Sequence, residues 1–119
     1  MNEQIQKLLN NLIQLKHVSS TLYLAMSNYM NRLNYKGMDS WLRLQSEEER
    51  THMLKLIDAP QTLVIVQDFL REQVDEEAQA QTIVDRLKIA QNNPAAIFIL
   101  DQELGQRKAA PAGGAAAQG

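Results

Sequence analysis

The sequence contains no cysteine among its 119 residues. This absence excludes a disulfide scaffold, a zinc ribbon, an iron–sulfur site and thiol chemistry. The formal net charge is only −2, from 12 basic and 14 acidic residues, so the chain lacks the strongly basic surface typical of nucleic-acid-binding proteins. No apolar run approaches the roughly 20 residues needed to span a bilayer. We therefore expect a cytoplasmic protein that binds neither nucleic acid nor membrane.

Helix-breaking residues are scarce, with five glycines and three prolines. Between them, apolar residues recur every three or four positions, which is the period of an α-helix. We expect Gly37 to permit the first turn, Asp39 or Ser40 to cap the second helix, and Pro60 to open the third. The pattern predicts an all-α bundle of three long helices and a short one, at about 2–34, 39–58, 60–91 and 94–104.

The domain boundary is predicted from composition. Residues 1–107 carry the helical pattern, whereas 108–119 read KAAPAGGAAAQG and contain no large apolar side chain. A segment of this kind cannot bury enough apolar surface to fold. We expect one helical domain over 1–107 and a disordered tail.

Two predicted helices have polar residues in the middle of their inward faces. Glu49-x-x-His52 lies in the second helix and Gln73-x-x-Glu76 in the third, and residues three apart share one helix face. Buried carboxylates must be paired, protonated or bound to a metal. Carboxylate and imidazole ligands on facing helices are typical of di-iron sites in helical bundles. The alternative is a polar layer whose members hydrogen-bond one another.

Several segments resemble bacterial non-haem ferritins. Residues 15–27, LKHVSSTLYLAMS, resemble the first helix of that family, and Trp41-Leu42-Arg43 with 47–53, EEERTHM, resemble the second. Residues 69–78, FLREQVDEEA, resemble the family's fourth long helix, and 93–107 its short C-terminal helix. The resemblance covers about residues 2–107 and implies a ferritin-like bundle that acts in intracellular iron storage or homeostasis.

The resemblance also implies a set of iron ligands. Glu49 would bridge two irons, His52 would ligate the first iron, and Gln73 and Glu76 would stand on the side of the second iron. The remaining implied positions are Tyr23 beside the centre and, near an accessory third iron, Glu48, Glu72 and Asp75. The implied metal is non-haem iron, as Fe(II) and Fe(III), and the implied activity is oxidation of Fe(II).

Two departures from the family leave the centre incomplete. Lys16 stands where the family has a glutamate ligand, and only residues 58–62 join helices that the family separates by a further long helix. Lys16 could neutralise Glu49 or Glu76, or it could extend to solvent along its apolar stem. The missing helix would expose apolar surface, so we expect a homo-oligomer, a dimer or larger. The alternative to iron binding is a non-catalytic structural or interaction protein with a polar core neutralised by Lys16.

Overall fold

The computed structural model describes residues 3–60 and 62–108. It contains four helices, so the predicted all-α fold is confirmed: α1 (Glu3–Arg32), α2 (Lys36–Asp58), α3 (Leu63–Ala90) and α4 (Pro94–Gly105). No helix in the described ranges is long and apolar enough to span a lipid bilayer. The predicted disordered tail lies outside the described residues, apart from Lys108.

The helices α1 and α2 form an antiparallel hairpin with close backbone approach. Ser20 and Ser46 each donate a side-chain hydrogen bond to the other's main-chain carbonyl, at 2.8 and 2.7 Å. Such reciprocal bonds require two small side chains, which let the two helices come close together. The helix α3 runs antiparallel to α2 and parallel to α1. It meets α2 through side chains such as Phe69, whose ring lies edge-on to the ring of His52 with 6.3 Å between the two ring centroids.

Two apolar clusters lie at opposite ends of the bundle. The first joins the start of α1, the end of α2 and the start of α3; its buried members are Leu9, Leu12, Leu56 and Val66. The second lies where α4 packs against α2 and α3; its buried members are Met38, Trp41, Leu42, Ile83, Leu100 and Leu104. The polar residues at the middle of the predicted seams therefore lie between two separate cores.

The start of α2 differs from the prediction. The helix begins at Lys36, without a side-chain cap from its own preceding residue, so the expected cap at Asp39 or Ser40 was wrong. The carboxylate of Asp101 on α4 accepts a 2.7 Å hydrogen bond from the backbone N–H of Met38. A distant helix thus supplies the negative charge that favours a helix N-terminus.

The turn before α2 also uses a different residue from the one predicted. Asn34, with φ at 69°, takes the left-handed conformation, which asparagine tolerates better than most residues. Gly37 lies inside α2, where an added Cβ would overlap the main-chain carbonyl of Asp101. The glycine is needed for close packing of α4 rather than for the turn.

The start of α3 is displaced from the predicted position by three residues. Thr62 caps the helix by accepting a hydrogen bond from the backbone N–H of Ile65, and Pro60 lies outside it. The helix α4 begins at Pro94, the residue from which the sequence predicts it, and Asn93 caps it by accepting a hydrogen bond from the backbone N–H of Ala96.

We expect Asp101→Ala to destabilise the protein by about 1–3 kcal/mol, because it leaves the buried N–H of Met38 without a partner. Chemical denaturation followed by the fluorescence of Trp41, the single tryptophan, measures this change, since Trp41 packs in the same cluster as Leu100 and Leu104 of α4. Glu103→Ala is the matched control: it removes an ion pair with Arg86 that is half-exposed and should cost less than about 1 kcal/mol. Equal effects of the two variants would contradict the capping role.

Candidate functional site

A layer of polar side chains separates the two apolar clusters, and all three long helices contribute to it. Lys16 comes from α1, Glu49 and His52 from α2, and Gln73 and Glu76 from α3. The i, i+3 pairs on α2 and α3 therefore face each other, as their spacing predicts. We call these five residues the polar layer.

Lys16 lies at the centre of the polar layer, and its side chain has no exposed surface. Its Nζ donates hydrogen bonds to Oε1 of Gln73 at 2.8 Å and to Oε1 of Glu76 at 3.1 Å. Oε2 of Glu49 lies 3.6 Å from the same nitrogen. Of the two interpretations left open by the sequence, the structure shows the ammonium among the carboxylates and not extended to solvent.

Three of the layer's residues form a group that could bind a metal. Ligand atoms of Glu49, His52 and Glu76 all lie within 4.8 Å of one another. Two of these buried atoms, Oε2 of Glu49 and Nδ1 of His52, have no hydrogen-bond partner in the described part of the chain. Nδ1 of His52 lies 3.5 Å from Oε1 of Glu76. The donor set would suit one cation of the iron or manganese type, but the ammonium of Lys16 lies against the same carboxylates.

Burial and neighbouring charges shift the pKa values of the two carboxyl groups in opposite directions. Burial raises the pKa of Glu49 to about 8, and its hydrogen bond with Glu76 and the negative charge of that residue add to the effect. Burial also tends to raise the pKa of Glu76, but the hydrogen bond with Glu49 and the charges of Lys16 and His52 outweigh it, so that pKa is lowered. These shifts favour a proton on Glu49 and a negative charge on Glu76, which pairs with Lys16.

The remaining predicted site residues lie at different distances from the layer. Tyr23 packs against the second apolar cluster, and burial together with the charges of Glu49, Glu76 and Glu77 raises its pKa. Glu48 is half-buried, whereas Glu72 and Asp75 are exposed. Within the described ranges, the three accessory candidates do not join the group that could hold a metal, and their role stays a prediction.

Sequence reasoning missed the contact that positions Lys16 against Glu49. The reciprocal hydrogen bonds of Ser20 and Ser46 lie about one helical turn from these two residues and fix the register of α1 on α2. Serines in the middle of two helices gave no distinct signal, because a serine at such a position can equally face solvent.

Comparison with known proteins places this arrangement in a family. Residues 6–63 match the Ferritin family, described as a ferritin-like domain. A bacterial non-heme ferritin of Bacteroides fragilis is 31% identical over 160 residues, which cover 90% of this chain and 99% of that protein. A probable bacterial non-heme ferritin-like protein of Haemophilus influenzae is 38% identical over 56 residues, 47% of this chain and 34% of that protein.

Solved structures give the same result for the fold. A closed form of the Archaeoglobus fulgidus ferritin, engineered by site-directed mutagenesis, superposes with a TM-score of 0.80 at 25% identity, covering 92% of this chain and 99% of that one. A humanized archaeal ferritin superposes with a TM-score of 0.82 at 24% identity, covering 93% and 99%.

The fold of this chain is a helical bundle of the ferritin-like type, with carboxylates and a histidine directed into its middle. The chain belongs to the ferritin family. The alignment with the Bacteroides fragilis protein spans 160 residues, more than the 119 residues of this chain, so the relative contains internal residues without a counterpart here. The family match ends at residue 63, where α3 begins, and this fits a missing segment between α2 and α3.

The raised pKa of Glu49 predicts that this residue makes the protein less stable as the pH rises from about 5 to 8. The folded state keeps the proton to about pH 8, whereas the unfolded chain releases it near its ordinary value, so the free energy of unfolding falls across this window. At about 1.4 kcal/mol per pKa unit, the loss amounts to a few kcal/mol. Glu49→Gln, which mimics the protonated form, should flatten the profile and be the more stable protein at pH 8.

Urea denaturation at a series of pH values, in the presence of a chelator, measures these profiles. The matched control is Glu47→Gln, two residues away on α2 and exposed, which should keep the slope of the wild type. The lowered pKa of Glu76 affects the free energy of unfolding in a separate pH range. Its contribution to stability is lost only as the pH falls below the ordinary value of 4.5. A wild-type profile that is flat from pH 5 to 8 would refute the assignment of the proton to Glu49.

Proposed function

We propose that this chain acts in iron storage or homeostasis as a self-associating ferritin-family subunit without a working ferroxidase centre. The observation that carries the proposal is the position of Lys16, whose ammonium makes hydrogen bonds to Gln73 and Glu76 and lies 3.6 Å from Glu49. In this proposal the polar layer holds three helices together and does not catalyse the oxidation of Fe(II). The family supports a role in iron handling.

Charge balance supports a structural role for Lys16. The ammonium of Lys16 and the carboxylate of Glu76 balance each other's charge. In this proposal Glu49 is protonated at pH 7, which its raised pKa favours, and adds no second negative charge. A divalent cation at the same carboxylates would be repelled by an ammonium a few ångströms away, and at such distances the repulsion is several kcal/mol in a protein of effective dielectric about 20. Iron binding would therefore require Lys16 to leave a fully buried position.

The second candidate function is binding of Fe(II), as substrate or cargo, by Glu49, His52 and Glu76. The observation that favours it is the pair of buried ligand atoms without hydrogen-bond partners, Oε2 of Glu49 and Nδ1 of His52. Unsatisfied buried polar atoms cost about 1–3 kcal/mol each, and a cation bound by both would relieve that cost. Gln73 would support such a site through its amide oxygen, which now accepts from Lys16.

We expect Lys16→Ala to lower the melting temperature sharply in metal-free buffer. Truncation leaves the charge of Glu76 buried beside Glu49 without its partner, and removing one member of a buried ion pair costs about 3–5 kcal/mol. Thermal unfolding followed by circular dichroism measures the change. Lys7→Ala is the matched control, because Lys7 lies on the same helix and is exposed; an equally small effect of both variants would contradict the structural role of Lys16.

Iron chemistry separates the two candidate functions. If Lys16 excludes iron, the wild type should oxidise Fe(II) no faster than buffer, and Fe(II) added without oxygen should leave its melting temperature unchanged. Lys16→Glu, which introduces a carboxylate, should be less stable than the wild type without metal and should regain stability with Fe(II), because the metal binds the folded state preferentially.

Two variants complete the comparison. Glu49→Ala should abolish any stabilisation by Fe(II) in the Lys16→Glu background, and Lys7→Glu controls for a change of charge on an exposed part of α1. Oxidation of Fe(II) by the wild type above the rate in buffer, lost in Glu49→Ala, would overturn the proposed function in favour of the second candidate. A Lys16→Glu variant that is stable and indifferent to iron would contradict the view that Lys16 stands in place of a metal.

A further inference from the structure

One side of α1 exposes a continuous row of large apolar side chains. Leu8, Leu15, Leu22 and Tyr29 recur every seven residues and are each about half-exposed. A spacing of seven is typical of a helix that packs along a second helix. With Val18 and Leu33, which are also about half-exposed, these residues define what we call the α1 stripe.

The helix α3 carries a matching row, which we call the α3 stripe. It consists of Leu63, Leu70, Val74 and Val84, all of them exposed. The exposed side chains of Gln67, Glu77 and Gln81 lie between them on the same side of α3. At 100° per residue, Leu63, Leu70 and Val74 lie roughly a quarter turn or more around α3 from the face that carries Gln73 and Glu76, and Val84 lies closer to that face. The stripe is therefore separate from the surface that packs on α1 and α2.

The two stripes face the same side of the bundle. The helices α1 and α3 run parallel, so increasing residue number winds in the same sense around both helix axes. Measured from the face that each helix presents to the other, the α1 stripe is rotated in one sense and the α3 stripe in the opposite sense. Because the two facing sides point in opposite directions, these rotations bring both stripes to the same side of the pair. On α1, the contacts with α2 through Ser20 and Asn31 lie on the other side of that face. The stripes thus form the two walls of an apolar groove on the side of the α1–α3 pair opposite α2.

Charge is almost absent from the α1 wall of this groove. Between Lys7 and Arg32, the only Lys, Arg, Asp or Glu on α1 is Lys16, and that residue is fully buried. Depletion of charge around apolar and tyrosine side chains is the composition of interface cores. Two identical surfaces of this kind can approach each other without like-charge repulsion, as a two-fold interface requires.

Within the described residues, no segment outside the three long helices is long enough to lie along this groove. Residues 109–119 contain no side chain larger than glutamine, and the connection between α2 and α3 is only 59–62. From Leu8 to Tyr29 the α1 wall is about 32 Å long, a length that calls for a long amphipathic helix. The helices of this chain with that length and an unpartnered apolar row are α1 and α3 themselves.

We infer that the groove between the α1 and α3 stripes binds a second copy of this chain, which contributes a long helix to the bundle. The side chains of the two stripes expose roughly 1,000 Å² together, against about 800 Å² buried per partner in a stable complex of standard size. This inference rests on the self-association proposed above and is independent of iron chemistry. The inferred interface lies on one face of the molecule, and the surface of α1 around Leu24 is not part of that interface.

Light scattering of the full chain in the presence of a chelator tests the assignment. The wild type should have at least twice the 13.5 kDa mass of one chain at micromolar concentration, whereas Leu22→Glu and Val74→Glu should each reduce that mass. The matched control is Leu24→Glu, because Leu24 is a similarly exposed leucine two positions away on the opposite side of α1. It should keep the mass of the wild type.

A second measurement covers variants that fail to fold. The chain has no cysteine, so single cysteines at positions 22, 74 and 24 report neighbouring copies without background. A short bis-maleimide should couple Leu22→Cys to Val74→Cys in a mixture of the two, and Leu24→Cys should give no such product. A multimeric wild type with unchanged mass in both glutamate variants would overturn the assignment of the face, although self-association would stand. A wild type of 13.5 kDa with a cooperative melt would overturn both.

Discussion

The rest of the structure depends on the need to keep a buried polar layer electrically neutral. Lys16 lies at its centre, in contact with residues from both α2 and α3. Burial and the charge of Lys16 shift the two carboxyl groups apart: the pKa of Glu76 is lowered, which favours the ion pair with Lys16, and the pKa of Glu49 is raised, which favours its neutral form. In our proposal, the ammonium of Lys16 supplies in this layer the positive charge that metal ions would supply in a ferroxidase centre.

The polar layer also divides the apolar packing of the chain. The cluster around Leu56 closes one end, and the cluster around Trp41 closes the other. Neither cluster alone resembles the single continuous core of an ordinary domain of this size. Stability therefore comes from two modest cores, one buried ion pair and, in our inference, the surface that a second copy covers.

Much of this architecture could be predicted from the sequence. The three-to-four-residue period predicted the helices, and the polar interruptions at Glu49–His52 and Gln73–Glu76 predicted that these residues meet. The sequence failed at the start of α2, because the cap there comes from Asp101, which is remote in sequence and carries no local signal. The sequence also left two locations possible for the ammonium of Lys16, the core or the solvent. Periodicity places a residue on a helix face but does not show where a long side chain ends.

The hydrogen bond between Asp101 and Met38 has a consequence for how the chain reaches its final form during synthesis. Its two partners are 63 residues apart, so the N-terminus of α2 has no such acceptor while the ribosome is still making α3. The α1–α2 hairpin can form early, since its contacts lie close together in sequence, but its turn end gains the bond only after α4 has emerged. The N-terminus of α2 is therefore completed by the last helix of the bundle to be made.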